Sequence, residues 1–126
     1  ENPLAIWGDG TAIRDFAYSK DLAIGVIQTI MNGTGEYDFL NLASGKGVTI
    51  RELVETLASF LDFEYFFDKS KSSGFPRRVM NIKNAQRIIG YEHNTTLQEG
   101  LKETWDWYKN NEREFLKRKN YFKDES

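Results

Sequence analysis

The chain has 126 residues, 40% hydrophobic and 29% charged, with a net charge of −2 at pH 7. A chain of this length makes one domain that buries about two thirds of its unfolded surface, and its composition excludes a disordered polymer, a membrane-spanning one and a general nucleic-acid binder, which needs concentrated positive charge. The absence of cysteine excludes disulfides, thiol catalysis and thiolate-bound metals, and the single histidine, His93, excludes a histidine-rich metal site.

Taken in chain order, Leu4 to Trp7 and Ala12 to Ala17 are short apolar runs on either side of Gly8-Asp9-Gly10-Thr11, which predicts a hairpin with a four-residue loop. A helix is expected from Asp21, capped by Ser19 or Asp21, with Leu22, Val26, Ile27 and Ile30 on one face and a stop at Asn32-Gly33. Tyr37 to Ala43 alternates as a half-buried strand does. After the turn at Ser44-Gly45-Lys46-Gly47, Thr49 and Glu52 have the spacing of a capping box, and Ile50, Leu53, Val54, Leu57, Ala58 and Leu61 form a helical face behind it. Phe63 to Phe67 reads as a strand, Arg77 to Met80 as a short one, and Ile82 to Ile89 as a short helix ended by Gly90. Thr96 and Glu99 form a second capping box, opening a helix through Leu97, Leu101, Trp105 and Tyr108 in which Trp105 or Trp107 is expected in the core. Lys117-Arg118-Lys119 lies among Glu112, Glu114, Asp124 and Glu125, as a solvated helix end does. The fold class is mixed α/β.

Two kinds of chemistry are missing. A dinucleotide site needs a strand, a glycine-rich turn and a helix whose N-terminal amides hold the pyrophosphate, and neither glycine turn has that spacing. No nucleophile, base and acid can be assembled from one histidine, no cysteine and scattered carboxylates. Catalytic, cofactor and metal residues are therefore all expected to be absent from this chain. What the hairpin does offer is Trp7 and Arg14 as diagonal neighbours on one face, about 7 to 8 Å apart, an apolar ring beside a planar cation that donates two parallel hydrogen bonds to phosphate. On residue types alone, Trp7 packing in the core and Arg14 pairing with Asp15 or a nearby acid is the favoured reading.

The stretches WGDGTAIRDFAYSKDLA, FLNLASGKGVTIRELVETLA, FFDKSKSSGFPRRVMNIKNAQRIIGY and TTLQEGLKETWDWY, in that order, resemble the C-terminal half of the nucleotide-sugar epimerase/dehydratase family, the extended short-chain dehydrogenases. The resemblance implies a substrate-binding lobe over residues 1–110, with a charged helical or frayed tail over 111–126. It implies that Trp7, Arg14 and Lys71 contact a nucleotide-diphosphate sugar. Lys71 falls in a loop where Ser72 and Ser73 replace the family's proline and aspartate; one of Arg77 and Arg78 is a further candidate, and Asn41 and Ser44 fall on a structural turn. NAD or NADP and the Ser/Tyr/Lys catalytic residues would belong to an N-terminal Rossmann lobe of the same protein, so this chain alone is expected to be inactive. A cytoplasmic homodimer, with no nucleic-acid or membrane partner, is the corresponding expectation for the whole protein. The contrasting expectation is a stand-alone ligand-binding or interaction module.

Overall fold

The computed structural model describes residues 3–35 and 37–117. Strand β1 (Leu4–Trp7) pairs in parallel with β4 (Tyr65–Asp68), Trp7 lying opposite Asp68. A separate three-stranded sheet places β2 (Ile13–Arg14) between β3 (Val48–Thr49), antiparallel, and β5 (Arg77–Arg78), parallel. The helices are α1 (Ser19–Asn32), α2 (Ile50–Ala58), α3 (Lys83–Ile89) and α4 (Leu97–Leu116). Among the described residues no helix is long and apolar enough to cross a membrane.

The expected hairpin does not form. The turn is real: Gly8 and Gly10 take φ of 88° and 81°, and the Asp9 carboxylate accepts the Thr11 N–H at 3.0 Å. It hands the chain from one sheet to the other instead of reversing it. Beyond it, Ile13 N–H donates to Pro76 O, while Gly10 O and Ala12 O accept from Arg51 and Ile50 at the start of α2. Backbone groups that a hairpin would have satisfied locally are thus satisfied by distant segments. Trp7 and Arg14 are not diagonal neighbours on one ladder.

Both capping boxes are present, Thr49 with Glu52 on α2 and Thr96 with Glu99 on α4. Helix α3 ends at Gly90, whose φ of 71° supplies the left-handed conformation such an end requires. Helix α1 differs from expectation at its start. Its N-cap is Tyr18, which makes no side-chain cap; the Tyr18 N–H instead donates to His93 Nε2 at 3.1 Å. Asp21 is buried behind it, accepting the Thr95 N–H at 3.2 Å with His93 Nε2 3.4 Å away, so two side chains join the start of α1 to the loop before α4. Burial works to raise the Asp21 pKa, but the Thr95 hydrogen bonds and the His93 ring outweigh it and hold the carboxyl below its usual value.

The core is small, gathering Ala43, Ile82, Ala85, Ile89 and Tyr91, with Leu22, Leu40, Leu42 and Ile88 packed around them. Tyr91 is fully buried and donates its hydroxyl to Ala43 O at 3.0 Å. Gly25 lets α1 approach this ring: a Cβ there would lie 2.7 Å from a Tyr91 ring carbon. Residues 37–43 supply core side chains but form no strand, because they run through the core without a ladder partner. Of the expected α1 face only Leu22 packs inward; Val26, Ile27 and Ile30 are exposed. Neither Trp105 nor Trp107 is buried, and Trp105 packs against Tyr108 on the flank of α4. Lys117 pairs with Glu114 at the end of α4; Arg118 and Lys119 lie outside the described residues.

Candidate functional site

Arg14 sits at the end of β2, beside Arg78 of β5. Its guanidinium donates through Nη1 to Ile13 O at 2.8 Å and Phe75 O at 2.7 Å, and through Nη2 to Ser73 O at 3.4 Å. These carbonyls come from the chain itself and from the loop joining β4 to β5. A Cβ on Gly74 would lie 3.5 Å from Nη2, and that residue's φ of 70° aims the flanking carbonyls at the cation. The opposite edge of the fork, Nε–H with the second Nη2–H, takes no acceptor among the described residues, and no carboxylate pairs with Arg14 there.

Asp15, the obvious partner by sequence, is engaged elsewhere. Its carboxylate accepts the Ser44 N–H at 2.9 Å, the Ser44 hydroxyl, the Gly45 N–H at 3.1 Å and the Met80 N–H at 3.1 Å. Asp15, the residue after β2, ties the 44–45 turn to the segment after β5, while Arg14 at the end of the strand bonds the loop before β5. The Ser44-Gly45 turn is therefore structural, and its anchor is an acid that the sequence pattern did not single out. The adjacency of an arginine and an aspartate signalled a pair, whereas the fold gives each a different set of backbone partners.

Arg14, Asp15, Arg78, Leu22, Leu42 and Met80 all line one open hollow of about 600 Å³. Its wall is mostly apolar on the core side and carries both guanidinium groups together with the Asp15 carboxylate, which is bonded to Ser44, Gly45 and Met80. Trp7 and Lys71 do not line it. They reach the same loop from the other side: Trp7 is 67% exposed at the end of β1, Gly8 N–H and Lys71 N–H both donate to Asp68 O, and Gly8 packs against Ser73. Ser70 hydrogen bonds, with the Lys71 charge adding to them, hold the Asp68 carboxyl below its ordinary value. The Ser72 hydroxyl accepts the Gly74 N–H at 3.1 Å, closing the turn where the family pattern has proline. The three residues expected at a ligand are thus gathered around one loop, Asp68 to Pro76, and not across a hairpin.

The Gly8–Gly10 turn leads into a strand, and the amides that open α2 after the Ser44–Gly47 turn are closed by the Thr49–Glu52 box. Among the described residues no three histidine or carboxylate side chains are grouped to hold a metal ion.

This arrangement, two short sheets with four helices, matches the C-terminal part of extended short-chain dehydrogenases of the nucleotide-sugar epimerase/dehydratase class. The chain is a homologue of GDP-L-fucose synthases: it is 36% identical over 110 residues to probable GDP-L-fucose synthase 1 of Oryza sativa subsp. japonica, covering 86% of this chain and 33% of that protein. It is 29% identical over 122 residues to GDP-L-fucose synthase of Escherichia coli K12, covering 89% and 38%. Among solved structures, UDP-glucuronic acid 4-epimerase from Bacillus cereus, in complex with UDP-glucuronic acid and NAD, matches with TM-score 0.73 and 25% identity over 86% of this chain and 35% of that one. An epimerase from Methanothermobacter thermautotrophicus shares the fold with TM-score 0.80 at 23% identity, over 92% of this chain and 35% of that one. The chain spans about a third of the length of the curated relatives it matches. No family model matches it.

Proposed function

We propose that this chain is the substrate-gripping lobe of a nucleotide-diphosphosugar epimerase or reductase, with Arg14 as the clamp on the diphosphate. The observation that carries the reading is the Arg14 fork, fixed by three carbonyls on one side and open on the other, in a hollow it shares with Arg78 and with Asp15, whose carboxylate is taken up by Ser44, Gly45 and Met80 and makes no pair with Arg14. Such a fork suits the paired oxygens of a phosphate through two parallel charge-assisted bonds. Trp7 and Lys71 approach along the Asp68–Pro76 loop, the ring for an apolar sugar face and the ammonium for the second phosphate. Hydride transfer and proton abstraction fall to a companion N-terminal lobe that holds NAD or NADP, so the lobe alone turns nothing over.

The fucose-synthase relatives favour GDP-4-keto-6-deoxy-mannose, converted to GDP-L-fucose, as the substrate of the whole enzyme. A second reading, a UDP-sugar 4-epimerase, is favoured by 32% identity over 117 residues to UDP-glucuronate 4-epimerase of Thermodesulfobacterium geofontis. The companion lobe is supported by an unused surface. On α1 the apolar side chains of Ile24, Val26, Ile27, Ile30 and Met31 are all exposed. Such a face on one helix marks an interface.

The test is calorimetric titration of GDP- and UDP-sugars into the complete polypeptide carrying this chain. Arg14→Ala is expected to weaken binding by about 2 to 4 kcal/mol, and Arg14→Lys to recover only part of that, because an ammonium lacks the fork. Normal binding by Arg14→Ala would end the reading.

A further inference from the structure

We infer that the open face of the Phe75 ring is the platform on which the base of the nucleotide stacks. The inference rests on the reading of Arg14 as a diphosphate clamp and extends it by one group along the ligand. Phe75 is 64% exposed, lies outside the core cluster and has no aromatic partner among the described residues. Its backbone is nonetheless held in place. The Phe75 carbonyl accepts from Arg14 Nη1 at 2.7 Å, and the next carbonyl, Pro76 O, accepts the Ile13 N–H at 2.9 Å. Pro76 confines the backbone of the preceding Phe75 to extended conformations, which limits the direction in which the ring leaves the loop.

One face of the ring is already occupied. The Arg78 guanidinium lies 4.3 Å from its centroid, and Arg78 makes no ion pair among the described residues. The cation backs the ring and leaves the other face to solvent. A planar apolar surface thus lies against the Arg78 guanidinium, while the backbone carbonyl of the same residue is bonded to the Arg14 guanidinium. A nucleoside diphosphate has the complementary form, a flat π-system joined through one ribose to a polyanion. Stacking on an aromatic ring tolerates any base, so this platform adds affinity for the nucleotide without choosing between guanine and uracil. That choice would fall to donors and acceptors at the edge of the base.

The complete polypeptide, its Phe75→Ala and Phe75→Trp variants and Arg14→Ala are titrated with GDP, UDP and inorganic pyrophosphate. Phe75→Ala is expected to weaken GDP and UDP by about 5- to 150-fold while leaving pyrophosphate within about twofold, since only the first two carry a base. Phe75→Trp should keep nucleotide affinity and show indole quenching, beyond that of the wild type, with GDP and UDP but not with pyrophosphate. Arg14→Ala should weaken all three. Because the ring is exposed and the Arg14 contact is to the backbone, these variants retain the fold; thermal unfolding of each confirms it. The inference is overturned if Phe75→Ala changes none of the three ligands or all of them equally, and in that case the clamp still stands on its own Arg14→Ala result. Wild-type protein that binds none of the three overturns both.

Discussion

The carboxylate of Asp15 accepts both the backbone N–H and the side-chain hydroxyl of Ser44, 29 residues further along the chain. The same carboxylate takes Gly45 and Met80, so one acid satisfies donors from two segments that no secondary-structure ladder connects. Asp15→Asn is expected to lower stability by about 2 to 3 kcal/mol, because an amide turns one acceptor into a donor facing N–H groups that have no other partner. Urea unfolding checks this, and an unchanged midpoint would show that these donors find water instead.

Trp7→Ala is expected to weaken nucleotide-sugar binding in the complete polypeptide while leaving stability almost unchanged. The ring is 67% exposed, so little packing is lost with it. An early thermal transition in this variant would place Trp7 among structural residues and remove it from the site.

The exposed face of α1 gives a prediction that thiol chemistry can read, because the chain has no cysteine of its own. Ile30→Cys, at a position 80% exposed, is expected to react with a maleimide at the rate of a free thiol in this chain. In the complete polypeptide the labelling of that peptide, followed by mass spectrometry, should slow at least about tenfold, since access then requires opening of an interface. Equal rates would mean that the companion lobe sits elsewhere.

Acid should unfold the chain in a defined direction. Asp21, with Asp9, Glu52, Asp68, Glu99 and Glu103, has a folded pKa depressed below the ordinary 3.8 or 4.5 by hydrogen bonds. Each releases its proton more readily folded than unfolded, so its contribution is complete above those ordinary values and is lost as pH falls through the folded ones. Stability should be flat from about pH 7 to 5 and fall below about pH 4. Asp21→Asn, which keeps the size of the buried group, should flatten part of that fall and cost about 1 to 3 kcal/mol at pH 7.

What could be seen in the sequence was what depends on near neighbours. Thr49 with Glu52, Thr96 with Glu99, and Gly90 behind α3 are local chemistry and appear where their spacing puts them. The apolar period of α1 was equally legible, but its burial was not, because Ile27 and Ile30 face away from the rest of this chain. The pairing of β1 with β4 and of β2 with β5 was not legible, since parallel pairing is decided by distant segments and leaves no turn signature. Arg14 and Lys71 were visible through family motifs, whereas the carbonyls of Ser73 and Phe75 that hold Arg14 carry no side-chain signal at all.

Those carbonyls also affect the thermodynamics of binding. A free arginine gives up about 2 kcal/mol of rotational freedom when a ligand immobilises it. Here the chain has already immobilised Arg14 through Ser73 and Phe75 as it folds, so that entropy falls within folding and not within ligand capture. For the proposed clamp, affinity would therefore be set partly by residues that never meet the ligand. A loop from Ser72 to Pro76 made longer or more supple would loosen the grip even with every contacting side chain intact, and the loss would register as an unfavourable entropy change at nearly constant enthalpy.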